Sequence, residues 1–261
     1  MLNFLASQAG LDLLKMKRIW RTLPAYVAQL RAMRRAFPGE IRIQPCLLES
    51  GLEGGNVRNE YFWQDLFVAQ QVHQACPQRH LDVGSRLDGF VAHVASFRPV
   101  EVMDCRPLPV KMPNIRCHQG DLTRMESIPL PQHGKEYADS ISCLHAMEHF
   151  GLGRYGDPLD PEGYKKGFIH MARMLCPGGR FYLSVPVGRE RIEFNANWVF
   201  HPGTILDLAS GLGLILKDCY RIDPQTGPQK QPIQRGDWLR WGKSDYALVL
   251  FIFQKKGPAK V

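Results

Sequence analysis

The feature of this sequence that most constrains its fold is an alternation, from residue 80 onwards, of short apolar runs with stretches of helical periodicity. Short apolar runs between turn-forming residues are typical of buried strands, and strands that alternate with helices form a mostly parallel sheet covered on both faces. The sequence therefore predicts an α/β fold with seven strands: His80–Val83, Val100–Asp104, Ile115–Gln119, Ala138–Leu144, Arg180–Val185, Leu214–Arg221 and Tyr246–Phe253. The predicted helices are Asn59–Ala75, Asp88–Ser96, Pro161–Leu175 and Pro202–Ala209.

Most of the excess positive charge lies in residues 1–37. This segment has seven basic residues against one acidic residue, a net charge of +6 out of a formal total of +8 for the chain. Apolar residues interleave with the basic ones, which predicts basic amphipathic helices that rest on an anionic membrane surface, a partner or the rest of the chain. Pro24 is expected to break or restart the helix, and Phe37-Pro38-Gly39 to end it.

The chain is accordingly interpreted as a basic N-terminal helical arm and loop over residues 1–57, followed by an α/β domain over residues 58–261. Because the other 224 residues together carry only +2, the charge pattern does not favour a nucleic acid as partner. The longest apolar runs are shorter than the roughly 18 residues of a membrane span. The seven cysteines are scattered singly, which is typical of reduced thiols. We expect a cytoplasmic protein that contacts the inner face of the membrane through residues 1–37, if it contacts a membrane at all.

Acidic residues end or follow the first three predicted strands. Asp82 comes just before Gly84, in a turn where a glycine lets the backbone approach a ligand closely. Asp104 follows Asp82 by 22 residues, the distance at which a carboxylate commonly accepts from the two ribose hydroxyls of a bound nucleoside. Asp121, in Gly120-Asp121-Leu122, could accept from an adenine amino group while Leu122 covers the ring. In a parallel sheet these residues share one edge, which predicts a nucleoside site there.

The fourth predicted strand leads into His145-Ala-Met-Glu148-His149. The same His-x-x-Glu-His spacing occurs in a class of zinc proteases, but there the histidines lie on a helix and a third protein ligand completes the site. Here the motif follows a strand. His149 or Glu148 could act as the base that removes a proton from a hydroxyl group, and a structural or cofactor-binding role is the alternative.

The order of these motifs resembles that of class I S-adenosylmethionine-dependent methyltransferases over roughly residues 59–253. The resemblance is carried by Asp-x-Gly-Ser, Val-Met-Asp, Gly-Asp-Leu, the acidic-His end of the fourth strand, and Leu175-Cys-Pro-Gly-Gly before the fifth. More narrowly, Asp82-Val-Gly-Ser-Arg-Leu-Asp-Gly-Phe and Glu148-His-Phe-Gly-Leu-Gly-Arg-Tyr-Gly-Asp resemble a methyltransferase-like family of unknown function, domain of unknown function 268. The resemblance implies a Rossmann-like sheet whose last strand is antiparallel, and S-adenosylmethionine as cofactor.

On this resemblance, nine residues are assigned to the cofactor and three to catalysis. The cofactor residues are Asp82, Gly84, Ser85, Arg86, Gly89, Asp104, Gly120, Asp121 and Leu122, and the catalytic residues are His149, Glu148 and His145. One departure stands out: Arg86 and Asp88 occupy the positions of the second and third glycines of the family's loop. Gly89 is expected to substitute for one of them if the loop takes another path.

A metal-dependent alternative also rests on a resemblance. His145, Glu148 and His149, with the distant His201, resemble the ligand set of small-RNA 2′-O-methyltransferases, where a divalent metal holds the ribose hydroxyls. His145 replaces a glutamate of that set, and magnesium prefers carboxylates, so a base is favoured over a metal and no metal ligand is assigned.

The expected reaction is methyl transfer to an oxygen of a hydroxylated substrate, plausibly a sugar or glycan. Tyr61 to Gln64 could cover the cofactor, and aromatic and amide side chains after the fifth strand suit a sugar: Phe194, Asn195, Asn197, Trp198 and His201. Arg154, Tyr155 and Asp157 lie in a glycine-rich loop on the expected substrate side. The alternative is a methyltransferase-like domain that no longer catalyses and serves as a binding or scaffold partner in surface-glycan assembly, which the altered glycine loop favours.

Overall fold

A computed structural model of the chain describes residues 12–50, 54–108, 111–130, 136–232 and 240–257. Two compact units divide the chain, Met1–Asn56 and Val57–Val261. Residues 1–11 of the predicted arm lie outside the described part, and the arm is described from Asp12 onwards. Within the described residues, none of the helices combines the length and apolarity needed to cross a membrane.

In its described residues the first unit contains one long helix, α1 (Leu13–Ala36), which begins at an Asp12 N-cap and ends at Phe37. The expectation that Pro24 breaks the helix is wrong, because the helix continues through it. A proline inside a helix removes a single backbone hydrogen bond. The Thr22 hydroxyl lies within hydrogen-bond distance of the Arg18 and Leu47 carbonyl oxygens, so it links the helix to the segment that follows. No described residue of α1 is buried, and the Trp20 side chain is 73% exposed.

The second unit has three layers: helices, one large sheet, and helices. Its helices are α2 (Glu60–Ala75), α3 (Ala92–Ala95), α4 (Gly163–Met174) and α5 (Pro202–Gly211), and a π-helical turn, Leu87–Val91, leads into α3. The ten strands are β1 (His80–Val83), β2 (Val100–Asp104), β3 (Ile115–Gln119), β4 (Ala138–Leu144), β5 (Leu175–Val187), β6 (Arg191–Glu193), β7 (Asn197–Val199), β8 (Leu214–Asp223), β9 (Gly227–Lys230) and β10 (Ala247–Lys255).

The main sheet has the order β3-β2-β1-β4-β5-β10-β8-β9. Strands β1 to β5 pair in parallel, and β10 lies antiparallel between β5 and β8. The predicted fold class and the antiparallel last strand are confirmed. The sheet has eight strands rather than seven because the chain turns after β8 and returns as β9, whose Gly-Pro-Gln-Lys sequence carries no apolar alternation. Strands β6 and β7 form a separate hairpin.

Alternate residues of the central strands supply two cores, one on each face of the sheet. On β10, Val249, Phe251 and Phe253 join the core under α4 and α5, whereas Leu248 and Leu250 join the core under α2 and α3. Burial of both faces explains the nearly continuous apolar sequence of this strand. The chain runs outward from β1 to β3 and then returns to β4 on the other side of β1. The switch in strand order therefore lies between β1 and β4, where ligands bind in such sheets.

Candidate active site

A cavity of about 390 Å³ lies at the carboxyl ends of β1 to β4. This volume is within the range of about 300–1,000 Å³ that is usual for small-molecule sites. Nine of the twelve residues predicted from the sequence line it: Gly84, Arg86, Asp104, Gly120, Asp121, Leu122, His145, Glu148 and His149. The topology thus brings the predicted nucleoside residues and the predicted catalytic residues to one cavity. Asp82, Ser85 and Gly89 are not among its lining residues.

Asp82 and Ser85 lie behind the β1 turn and fix its shape. The fully buried Asp82 carboxylate accepts hydrogen bonds from the Ser85 amide, at 3.0 Å, and from the Ser85 and Ser142 hydroxyls. Burial raises the pKa of Asp82 to about 7, against these hydrogen bonds, which favour the ionised form. Gly84 has a φ of +69°, and a Cβ atom there would lie 2.9 Å from the Ala146 Cβ. The turn therefore requires glycine at this position.

The altered glycine loop leaves the cavity open. The Arg86 guanidinium bonds the Asp88 carboxylate, at 2.7 Å from Nη2 to Oδ2, and more than half of each side chain is exposed. Arg86 therefore reaches the cavity rim without filling the turn. Gly89 does not take the place of a cofactor-binding glycine, because it packs against Asp65 of α2, whose carboxylate accepts from the Phe90 amide. Gly89 is required by that close contact with Asp65.

Asp104, at the end of β2, is bound by Arg106 two residues later. Oδ1 accepts from the Arg106 amide at 2.8 Å and from Nε at 2.9 Å, and Oδ2 accepts from Nη2 at 2.6 Å. A carboxylate offers about four acceptor positions, so three of them are already taken. One position on Oδ2 is left for a ribose hydroxyl. A contact from both hydroxyls therefore requires Arg106 to move.

Asp121, after β3, forms a turn of its own. Its Oδ1 accepts from the Thr123 amide at 2.8 Å and from the Thr123 hydroxyl at 2.7 Å, while Oδ2 lies 3.9 Å from the Arg124 Nε. This leaves Asp121 able to accept from a ligand amino group. The Leu122 and Met103 side chains add apolar lining to the same part of the cavity, as an adenine ring would require.

His145 and Glu148 form a buried pair at the end of β4. The His145 Nδ1 lies 2.8 Å from the Glu148 Oε1, and the His145 ring stacks on Tyr61 with 4.5 Å between ring centroids. Burial lowers the pKa of His145, but the hydrogen bond and the charge of Glu148 outweigh it and raise the pKa overall. His145 is therefore the donor in this pair. The His145 Nε2 and the Glu148 Oε2 are buried and have no protein partner among the described residues.

His149 has the geometry of a base. Its Nδ1 lies 2.7 Å from the Ala196 carbonyl oxygen, which can only accept, and 3.2 Å from the Arg154 Nη1, which can only donate. The much shorter contact with the carbonyl oxygen favours the tautomer with the proton on Nδ1 and the lone pair on Nε2. The His149 Nε2 lies 4.0 Å from the Glu148 Oε1, beyond a hydrogen bond but within reach of its charge. Burial lowers the pKa of His149, the nearby Glu148 charge opposes this, and the pKa stays below its usual range. His149 is thus neutral at neutral pH.

The fourth candidate metal ligand, His201, is not part of this group. Its Nδ1 accepts from the Gly203 amide at 3.0 Å, which caps α5, and it does not line the cavity. Within residues 12–50, 54–108, 111–130, 136–232 and 240–257, no group of three or more His, Cys, Asp or Glu side chains is placed to hold a metal ion.

The aromatic lining of the cavity differs from the one expected for a sugar site. Tyr61 and Tyr155 line the cavity as expected, but Tyr246, from the start of the β10 region, was missed. Trp198 instead packs on Tyr164 and Phe200, and Phe194 is 74% exposed outside the cavity. Of the residues expected after the fifth strand, Asn197 is the one that lines it. Arg106 and Glu60 were also missed, and Glu60 accepts from the Tyr246 hydroxyl at 2.8 Å.

Comparison with known proteins agrees with the fold. A family model described as "Caenorhabditis protein of unknown function, DUF268" matches residues 111–219. No curated protein matches the sequence. Among solved structures, a candidate sarcosine dimethylglycine methyltransferase from Galdieria sulphuraria has a TM-score of 0.51 at 17% identity, covering 74% of this chain and 85% of that chain. The 4+2 cyclase SpnF has a TM-score of 0.50 at 12% identity, covering 74% and 81%.

Both resemblances predicted from the sequence are confirmed by these matches. The second unit has the fold of the class I S-adenosylmethionine-dependent methyltransferases, and residues 111–219 of it match a family whose function is not known. Identities this low show the fold alone, and one of the two similar structures is a cyclase. The reaction must therefore be argued from the site.

Proposed function

We propose that this protein is an S-adenosylmethionine-dependent methyltransferase that methylates a hydroxyl group of a sugar or glycan. The observation that carries the proposal is that one cavity holds both the acidic strand ends, Asp104 and Asp121, and a histidine whose free lone pair is fixed by its neighbours. The first pair suits a nucleoside cofactor, and the histidine suits removal of a hydroxyl proton.

The residues present fit the cofactor. Gly84 would let the turn after β1 approach its amino-acid end, Asp104 would accept from a ribose hydroxyl, and Asp121 from the adenine amino group. When bound, S-adenosylmethionine supplies an electrophilic methyl group. The apolar side chains of Leu122 and Met103 would exclude water from the ring.

His145, Glu148 and His149, at the end of β4, each have a separate role in the removal of the hydroxyl proton. His149, neutral and with its Nδ1 proton held by the Ala196 carbonyl oxygen, takes the hydroxyl proton at Nε2. The Glu148 charge, 4.0 Å away, stabilises the imidazolium that forms. His145 donates to Glu148 and holds the carboxylate between the two rings.

The lining of the acceptor side suits a sugar. Tyr61, Tyr155 and Tyr246 present aromatic faces and hydroxyl groups, and Asn197 adds an amide. A sugar stacks its CH face on such rings and hydrogen-bonds through its hydroxyls. Transfer of a labelled methyl group from S-adenosylmethionine to a panel of sugars and oligosaccharides tests the proposal. Absence of transfer to every hydroxylated acceptor, by a protein that binds the cofactor, would contradict it.

A second function is favoured by the Asp104–Arg106 pair. Because three of the four acceptor positions of Asp104 are taken by Arg106, the chain could be a methyltransferase-like domain that binds partners in glycan assembly without catalysis. Calorimetry with S-adenosylhomocysteine separates the two functions, since only the enzyme requires a nucleoside site.

We also propose that the described part of the arm rests on an anionic membrane surface, from the cytoplasmic side. Leu13, Met16 and Trp20 share one face of α1 and are about half exposed or more, beside the basic Lys17 and Arg21. Each basic residue near such a surface contributes about 1 kcal/mol. Flotation with vesicles that contain phosphatidylserine should be lost on deletion of residues 1–37 and weakened by Trp20→Ala. Equal flotation of the full-length and deleted proteins at low salt would overturn the proposal.

A further inference from the structure

Arg154 brings a positive charge to the cavity that no acidic side chain among the described residues neutralises. Its guanidinium lines the cavity beside His149, where Nη1 donates to the Ala196 carbonyl oxygen at 2.8 Å. The other two arginines that line the cavity are each paired with an aspartate, Arg86 with Asp88 and Arg106 with Asp104. In the described part of the chain, no carboxylate lies within ion-pair distance of Arg154. A guanidinium has five N–H donors, and those of Nη2 and Nε have no partner here.

The loop that carries Arg154 is built to hold it in place. The Asp157 carboxylate accepts from three backbone amides of the same loop, those of Gly151, Gly153 and Tyr155, at 2.9, 3.3 and 3.1 Å. Gly151 and Gly153 have positive φ angles, which let the loop fold around that carboxylate. Asp157 is therefore satisfied by the loop and does not neutralise the arginine.

Tyr155 joins Arg154 to the rest of the site. The Arg154 guanidinium carbon lies 5.2 Å from the centroid of the Tyr155 ring, and that of Arg106 lies 4.7 Å from it. The same ring meets the His149 ring edge-on at 5.6 Å. Arg154, Tyr155 and His149 thus form one continuous wall, in which the Arg154 Nη1 lies 3.2 Å from the His149 Nδ1, on the side of the ring away from Nε2.

We propose that Arg154 binds an anionic oxygen group of the methyl acceptor, a carboxylate or a phosphate, and so places a neighbouring hydroxyl at His149. The substrate class is then an acidic sugar, such as a uronic acid or a sugar phosphate, rather than a neutral one. A planar guanidinium that presents two parallel N–H groups matches both oxyanions. The inference deepens the proposed function and rests on it for the identity of the reaction.

The test uses nuclear magnetic resonance on the whole protein, saturated with S-adenosylhomocysteine and held at constant ionic strength. The His149 ring and Arg154 side-chain signals are followed while D-glucuronate, D-glucose 6-phosphate or D-glucose is added. At least one acidic sugar should shift both signals with an apparent Kd about tenfold or more below that of glucose. The two acids show whether a carboxylate or a phosphate is preferred.

Three variants assign the effect to Arg154. Arg154→Gln should remove the preference for the acid, Arg154→Lys should keep part of it because the charge remains, and Arg173→Gln, on the exposed surface of α4, should keep all of it. Equal affinities for the acidic and neutral sugars would overturn the inference, as would no shift with any of them or a preference that survives in Arg154→Gln. Calorimetry with S-adenosylhomocysteine, done first, distinguishes the two failures: absence of that binding rejects the proposed function, and the same sugar titrations without the nucleoside then test the anion site.

Discussion

The nucleoside side of the cavity, formed by residues that follow β1, β2 and β3, differs from the acceptor side in where its polar atoms find partners. On the nucleoside side Asp82, Asp104 and Asp121 each accept hydrogen bonds from residues two or three positions further along the chain. On the acceptor side, formed by residues that follow β4, the His145 Nε2 and the Glu148 Oε2 are buried without a partner in the described chain.

This difference indicates which side of the cavity has buried polar atoms that a ligand could satisfy. Buried polar groups without partners cost about 1–3 kcal/mol each, so a protein retains them where a bound molecule or an ordered water satisfies them. The acceptor side has this property. The nucleoside side instead meets its own hydrogen-bonding needs, and a cofactor there must compete with Arg106.

The largest expected effect concerns the acceptor side. His149→Ala should lower the rate of methyl transfer about 10²–10⁴-fold, because a positioned base contributes that much, and should leave the affinity for S-adenosylhomocysteine within about twofold. His73→Ala, an exposed histidine on α2, is the matched control and should keep the parent rate. Parent rates in a His149→Ala, Glu148→Ala double variant would show that neither residue acts in proton removal.

A smaller effect is expected on the nucleoside side. Arg106→Ala frees two acceptor positions of Asp104 that the side chain occupies, and the ion pair that is lost joins a partly exposed guanidinium to a buried carboxylate. The affinity for S-adenosylhomocysteine should therefore rise up to about fivefold, as measured by calorimetry. A fall in affinity would mean that Arg106 itself contacts the cofactor, and the contrast between the two sides would disappear.

The smallest effect is a displacement of the pH–rate profile. Burial lowers the pKa of His149, so the basic form dominates at a lower pH than for an ordinary histidine. The rate should rise with pH through a midpoint below the ordinary histidine value of about 6.5 and level off near neutrality. Arg154→Gln removes a positive charge that lowers this pKa, and should move the midpoint upward. A midpoint above 7 in the parent would contradict the assignment of His149 as the base.

Much of the fold and the outline of the site could be predicted from the sequence. Strand periodicity predicts the parallel sheet, and a parallel sheet brings the residues after each strand to one edge, so Asp104, Asp121 and the His145 to His149 motif meet as expected. These predictions depend on the period and the ends of the strands, which local sequence shows directly.

Contacts between distant residues could not be predicted in this way. Gly89 packs against Asp65, a residue of α2, and no local pattern indicates that contact. Tyr246 reaches the cavity only because β10 lies next to β5 in the sheet. Likewise, the bond from Arg106 to Asp104 depends on a side-chain conformation, which the order of the residues does not determine. The effect of Pro24 on the helix was overestimated. The cost of one lost hydrogen bond is small compared with the stabilisation from the other backbone hydrogen bonds of the 24-residue helix α1.

The central claim, that the edge of the sheet binds S-adenosylmethionine through Asp104, is tested most directly by calorimetry with S-adenosylhomocysteine. The parent should bind, and Asp104→Ala should lose about 1.5–3 kcal/mol of binding free energy, roughly 10- to 150-fold in Kd, because a charge-assisted hydrogen bond to the ribose is lost. Asp207→Ala, exposed on α5, should bind like the parent. Equal affinity in Asp104→Ala and the parent, or no binding by the parent, would contradict the claim.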